Sequence, residues 1–371
     1  MRGLRLLKST DYWLGVPLCT VLGWGLRLRD QEAASAEPRR ILVVKLAAVG
    51  DTVVVQPALR ALRQRYPDAH LTWVASPINF SAAETVGGVD ELRRFEPRNL
   101  PALGGFVSRL RDEQYELAVD FDQWSRMTAL LVALSGARIR VGFDTRGQGR
   151  GLVYNRPFVP PSNTHELEHF LALARLAGAT SNDRSIRLEL PAEARARAAE
   201  RLGVKRRKRV ALHPGCGRAG AARQWPAERF AAVGDFAANR LGAEVYITGG
   251  ADEGHVTHEV VDRMRAPAAV LCDEFAFADF AALIEQMDVV VCGNTGAMHI
   301  AAAVGTPTIA LHGPTNPQRW GPVGDGHVVL QSPLPCSPCL DLGFEYGCAS
   351  APCMRTIGVA EVCQALGQRA Q

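Results

Sequence analysis

The chain has 371 residues, 47% hydrophobic and 22% charged, a length and composition that suit two domains with ordinary cores. Lys plus Arg exceeds Asp plus Glu by only four (42 against 38), which excludes a strongly basic surface built to hold nucleic acid. Nine cysteines, an odd count in a chain of this size, exclude a small secreted disulfide scaffold.

The leader, residues 1–38, is first basic and then apolar: Arg2, Arg5 and Lys8 precede an uncharged stretch from Tyr12 to Leu26. As a helix that stretch would span roughly 22 Å, short of the roughly 30 Å of a hydrocarbon core. Gly15, Pro17, Gly23 and Gly25 weaken a spanning helix further. Ala34-Ser35-Ala36 has the form of a cleavage site, but Arg27, Arg29, Asp30 and Glu32 separate it from the apolar run. The composition reads as an interfacial anchor over residues 1–30. Trp13, Leu18, Leu22 and Trp24 would enter the lipid boundary, with the basic residues on anionic headgroups. A surface helix docked on the protein itself is the alternative.

Past Glu37-Pro38-Arg39-Arg40, the run Ile41–Leu46 reads as a buried parallel strand and Ala47–Asp51 as a small-residue loop. Thr52–Tyr66 reads as a helix, with Pro57 near its start and Pro67 ending it. Strands are predicted at Leu71–Ala75, Leu117–Phe121 and Ile139–Phe143, with helices between them, and further helices at His165–Ala177 and Ala192–Leu202. The basic run Lys205–Arg209 is either a solvated linker or a surface for a phosphate-rich acceptor. A second succession follows. Strands are predicted at Arg209–Leu212, Glu244–Thr248, Asp288–Cys292 and Thr308–Leu311, and helices at Ala227–Arg240, Asp279–Gln286 and Ala297–Val304. The chain is therefore α/β: two Rossmann-like, doubly wound parallel-sheet domains, residues 39–203 and 204–371, expected to bind ligands in a central cleft outside the strand carboxyl ends.

Three clusters at strand ends carry chemistry. Val49-Gly50-Asp51-Thr52 places Asp51 at a strand-to-helix turn, either as a helix cap or as a base for an attacking hydroxyl. Cys292–His299 places Gly296 and a helix N-terminus where a diphosphate could sit, with Asn294 and Thr295 as neutral partners and His299 either a ligand contact or a core histidine. His213-Pro214-Gly215 is followed by Arg223-Gln224-Trp225-Pro226, and Arg223 lies just ahead of a helix start, where a guanidinium can clamp phosphate.

Gly215-Cys-Gly217-Arg-Ala-Gly220 matches a dinucleotide fingerprint, but the next helix starts near Pro226, too late for that role. Asp120-Phe121-Asp122 matches the D-x-D of metal-dependent transferases, though neighbouring strand residues point to opposite faces. Cys336, Cys339, Cys348 and Cys353 form a segment that either binds a structural metal such as zinc, stays reduced, or makes a local disulfide.

The chain resembles glycosyltransferase family 9, the lipopolysaccharide heptosyltransferases and their relatives, over roughly residues 40–360. The motifs are Ile41–Asp51 with Pro57-Ala58-Leu59, His213-Pro-Gly with Arg223-Gln-Trp-Pro, Thr248–Glu253, Gly293–His299 and His312–Pro317. The resemblance implies a GT-B fold, acceptor bound by the first domain, donor by the second, and inverting transfer with no required metal. The family's base matches Asp51, its donor-side lysine matches Arg223, its ribose-binding acid matches Glu253, and the aspartate of its D-T-G loop matches Asn294. Arg223 and Asn294 therefore depart from the family pattern. Donor contacts are expected at His213, Gly215, Arg223, Glu253, Asn294, Thr295, Gly296, Met298 and His299, and acceptor contacts at Gly50, Asp51, Asp120 and Arg126. The implied partners are an ADP-linked sugar (heptose or related) and a glycolipid or envelope-glycan acceptor, with the enzyme in the cytoplasm or peripheral on the cytoplasmic face of the inner membrane. Competing readings are a sugar-nucleotide epimerase or phosphorylase, a non-catalytic sugar-nucleotide binding protein of envelope assembly, and, weakest, an oxidoreductase.

Overall fold

The structure is a computed structural model that describes residues 2–28, 37–96, 100–217, 220–272, 275–340, 348 and 350–369. Two compact units divide at Arg184/Ser185. Unit 1 runs α1 (Arg2–Arg27), β1 (Arg40–Val44), α2 (Val49–Val54), α3 (Gln56–Arg65), β2 (His70–Ala75), α4 (Phe80–Val86), β3 (Glu91–Arg94), α5 (Leu100–Asp112), β4 (Leu117–Asp120), α6 (Arg126–Leu134), β5 (Ile139–Phe143), β6 (Arg156–Phe158) and α7 (Glu166–Leu176). Unit 2 runs α8 (Ala192–Leu202), β7 (Arg209–His213), α9 (Ala227–Leu241), β8 (Glu244–Gly249), α10 (Gly254–Arg263), β9 (Ala269–Cys272), α11 (Phe277–Glu285), β10 (Val289–Gly293), α12 (Gly296–Ala303), β11 (Thr308–His312), α13 (Pro317–Trp320), β12 (Val328–Gln331), α14 (Pro352–Thr356) and α15 (Val359–Arg369).

Each unit carries a six-stranded sheet, ordered β3-β2-β1-β4-β5-β6 and β12-β11-β10-β7-β8-β9. Numbered within its own unit, each is the same doubly wound order, and all its pairings are parallel. The central strands are apolar runs buried on both faces: Ile41 lies between Leu71 and Leu117, and Val291 between Leu212 and Ile309. Helices close both faces; α9 and α15 seal unit 2 through Phe230, Val233, Val362 and Leu366.

The structure revises three expectations. The boundary moves from 203/204 to 184/185, because α8 packs on α11 and is tied to it by Arg195–Glu285 and Arg197–Asp279 pairs. The expected Thr52–Tyr66 helix is two helices that begin earlier: α2 starts at Val49, so Asp51 sits in its first turn, and α3 starts afresh beside Pro57. The leader is a helix docked on unit 1, against α6 and the 3-10 turn Gly151–Val153. The Asp11 carboxylate accepts from the Arg126 backbone N–H at the start of α6 (3.0 Å) and from its guanidinium (2.9 Å). Among the described residues no helix is long and apolar enough to cross a membrane.

Candidate functional site

In a doubly wound sheet, the connections from the two central strands leave in opposite directions, and a crevice opens at their carboxyl ends. In unit 1 these strands are β1 and β4. Lys45 follows β1, and its Nζ lies 3.1 Å from Asp122 Oδ1 and 3.6 Å from Asp51 Oδ2. It also donates to the carbonyls of Ala47 and Phe121 and sits 5.3 Å from the centre of the Phe170 ring. The second oxygen of Asp122 accepts the Leu46 N–H at 2.6 Å. Buried Asn79 donates to the Lys45 carbonyl and to the Thr52 hydroxyl, both at 3.0 Å, and fixes the β1–α2 loop from behind. Glu166 accepts from Gln123 and lies 3.1 Å from His169.

Within this network Asp51 is the accessible member: its side chain keeps 26% exposure, against 2% for Lys45 and Asp122. Burial pushes its pKa up to about 6; Lys45 pulls it down, while Glu166 and Asp122 add to the rise. Burial works against the Lys45 ammonium, but Asp122 and Asp51 outweigh it and hold its pKa above the usual lysine value. The Ala48 backbone also hydrogen-bonds the Asp51 carboxylate, at the start of α2.

In unit 2 the central pair is β7 and β10. His213, at the end of β7, sets Nδ1 3.0 Å from the Thr248 hydroxyl and Nε2 3.6 Å from Glu253; burial lowers its pKa. Glu253 accepts the backbone N–H groups of Gly217 (2.7 Å) and Gly250 (2.9 Å) and so ties together the loops after β7 and β8. A Cβ on Gly215 would lie 2.1 Å from the Glu253 carboxyl carbon, so a larger residue there would push Glu253 from this position. Arg223 ends a 3-10 turn and donates to the Asn294 carbonyl at 2.9 Å, while the Asn294 side-chain amide donates to the Trp320 carbonyl at 2.8 Å.

The buried polar atoms of unit 2 without a hydrogen-bond partner within the protein include Arg223 Nε, Thr295 Oγ1 and His312 Nε2. Thr295 is the N-cap of α12, yet its hydroxyl does not cap the helix. Burial lowers the His312 pKa to about 4 and leaves the ring neutral, with its other nitrogen 3.1 Å from the Thr315 hydroxyl; the charge of Arg223 lowers it further. Leaving such groups unpaired is costly, and a polar ligand there would satisfy them.

Other expected residues are placed elsewhere. Asp120 is fully buried in an ion pair with Arg150 and accepts the Tyr154 hydroxyl at 2.7 Å, because it ends a central strand under α6. Arg126 is sequestered by Asp11 and the Gln148 carbonyl, so neither residue is offered to an acceptor. Met298 lies in the core at 0% exposure, on the inner face of α12, and His299 is also buried. Gly50 is buried in α2, and Gly296 opens α12. In the D-x-D, Asp120 and Asp122 turn to different cations, Arg150 and Lys45. Cys336, Cys339 and Cys348 are exposed and Cys353 is buried; residues 341–347 between them lie outside the described residues. Among the described residues no group of three or more His, Cys, Asp or Glu is placed to hold a metal ion.

Sequence reasoning missed Lys45, Asn79, Glu166 and His312 as parts of these sites. A lysine inside an otherwise apolar strand run was the available signal for Lys45; nothing local marked its partner Asp122, 77 residues away.

Known proteins resemble this chain in sequence and fold. Lipopolysaccharide core heptosyltransferase OpsX of Haemophilus influenzae is 20% identical over 288 residues, 77% of this chain and 82% of its own length. The solved glycosyl transferase family 9 protein of Veillonella parvula superposes with a TM-score of 0.74 at 22% identity, covering 92% of this chain and 99% of its own. Escherichia coli heptosyltransferase WaaC, solved with ADP, superposes with a TM-score of 0.68 at 20% identity, covering 89% and 99%. The two parallel-sheet units are those of the GT-B fold. The profile of glycosyltransferase family 9 (heptosyltransferase) matches residues 104–349, more than half of the chain, so the protein belongs to that family and is a glycosyltransferase.

Proposed function

We propose that the protein transfers a sugar, heptose or a relative, from an ADP-linked donor to a lipopolysaccharide-core or other envelope glycan acceptor, with inversion and without a required metal. The relatives named lipopolysaccharide heptosyltransferases and the WaaC structure with ADP support this substrate class. The observation that carries the reading is Asp51, an accessible carboxylate raised to about 6 and steadied by a buried lysine at the β1–β4 switch point.

Asp51 takes the proton of the acceptor hydroxyl as that oxygen attacks the anomeric carbon. The bond from the anomeric carbon to the diphosphate breaks on the opposite side. Arg223 and the first backbone N–H groups of α12 stabilise the negative charge that develops on the departing nucleotide. The Thr295 hydroxyl and the neutral His312 ring supply further hydrogen bonds to the donor. Activated sugars are made in the cytoplasm, and the enzyme works there, peripheral on the inner membrane that carries its acceptor.

Calorimetric titration with ADP, UDP, GDP and CDP, paired with turnover of ADP-heptose, tests the reading. Selective binding of ADP, and transfer that Asp51→Ala abolishes while ADP binding persists, are the expected results. Tight binding of another nucleotide alone would reassign the donor, and full turnover by Asp51→Ala would remove the base.

A further inference from the structure

Helix α1 is apolar on two opposite faces. The inner face packs on unit 1 through Gly15, Cys19 and Gly23, spaced one turn apart. A Cβ on Gly15 would meet Arg126 at 2.5 Å, and one on Gly23 would meet Leu152 at 2.7 Å, so the contact is as close as the backbone allows. The outer face presents Trp13, Leu14, Leu18, Val21, Trp24 and, just past the helix end, Leu28, each at least 50% exposed. At 100° per residue these six fall within one stripe of about 140°. Apart from Tyr12, whose ring packs against the Arg126 guanidinium, the other exposed large hydrophobics of the described residues are single and scattered, such as Ile78, Val159 and Val204. A concentrated apolar stripe on a helix that is already docked calls for an occupant.

Charge identifies that occupant. Arg2, Arg5 and Lys8 precede the stripe, a net basic flank, while Arg27 and Arg29 after it are balanced by Asp30 and Glu32. Asp11 is the one acid in residues 1–29, and its carboxylate is consumed by Arg126. A second copy laid parallel would bring the basic N-terminal ends against each other. An anionic lipid surface complements the basic N-terminal end, and tryptophans near both ends of an apolar stripe suit the boundary between headgroups and acyl chains.

We propose that α1 is a rigid foot that lies flat in the interface of an anionic phospholipid bilayer, with its outer stripe immersed, and so fixes the attitude of unit 1 on the membrane. The proposal deepens the membrane side of the proposed function. Its readout is partition rather than turnover, so it fails or stands apart from the transferase chemistry.

The test is co-sedimentation of the full chain with vesicles of phosphatidylcholine alone and of phosphatidylcholine mixed with phosphatidylglycerol. Trp13→Ser/Trp24→Ser and, separately, Val21→Glu serve as variants at exposed positions, with their melting temperatures checked against the parent. The parent is expected to pellet with the mixed vesicles, less with phosphatidylcholine alone, and each variant to lose at least about tenfold in partition at an unchanged melting temperature. A parent that stays in the supernatant, or variants that partition equally, overturns the proposal. So does a parent that is a dimer without lipid, becomes monomeric in the variants and does not bind vesicles, which would assign the stripe to a second copy.

Discussion

Asp51 is held between opposing influences: burial, Glu166 and Asp122 favour its proton, and Lys45 disfavours it. Below about pH 6 the carboxylate is protonated and cannot accept another proton, so kcat/KM should fall with acidification through that value. Lys45→Met removes the counteracting charge, and the acid limb should move upward; an unmoved limb would take Lys45 out of this role. Because Lys45, Asp51, Asp122 and Glu166 face one another, the limb belongs to the set. Asp51→Ala should lower kcat by about 10²–10⁴-fold, with ADP affinity kept. On the donor side, Arg223→Ala should weaken ADP binding roughly ten- to a hundredfold, as expected for a lost charged hydrogen bond, and an unchanged Kd would refute the clamp. Asn294 is held by a hydrogen bond that an aspartate could not make. Its amide N–H is the donor to the Trp320 carbonyl, and a carboxylate would set oxygen against oxygen. Asn294→Asp should therefore cost about 1–3 kcal/mol of stability without nucleotide, read as a lower melting temperature.

At the scale of elements, α1 is the sharpest case. Gly23→Val would drive a side chain into the Leu152 backbone, whose carbonyl oxygen would lie 2.8 Å from the new Cβ, whereas nothing lies within 4 Å of a Cβ at Gly25. Gly23→Val should undock the helix and speed proteolysis in residues 2–28, while Gly25→Ala should leave the rate unchanged. Equal rates in both would show that close approach does not hold α1. The same scale shows what was legible in the sequence. All eight strands predicted from apolar runs are found, and they are the eight inner strands of the two sheets. The four strands not foreseen, β3, β6, β9 and β12, are the four sheet edges. Edge strands face solvent on at least one side, and Glu91–Arg94 is mostly charged, so the continuous run that betrays a buried parallel strand is absent. The domain boundary was misplaced for a related reason: α8 has an ordinary amphipathic pattern, and only its packing on α11 assigns it to unit 2.

At the scale of the whole molecule, the two units should respond to acid with opposite signs. His312 has a folded pKa of about 4, below its ordinary 6.5, so its contribution to unit 2 is present above about pH 6.5 and is lost as pH falls toward 4. Buried His213 shifts in the same direction. Asp51 has a folded pKa of about 6, above its ordinary 3.8, so unit 1 carries a penalty above about pH 6 that is relieved as pH falls. Scanning calorimetry should show unit 2 melting earlier as pH drops from about 7.5 to about 5, and His312→Gln should reduce the shift; a melt that moves as one transition in both proteins would contradict this. The sequence by itself determined the α/β class, the two successive units, the inner strands and the loops that carry Asp51, Arg223, Thr295 and Gly296. These depend on local periodicity and on turn residues at strand ends, which neighbours in the chain specify. Only the tertiary structure decided that Lys45 meets Asp122, that Asp120 belongs to Arg150, and that Asp11 takes Arg126 from any acceptor. A buried charge must find its partner in space, and which partner it finds depends on which strands and helices lie side by side.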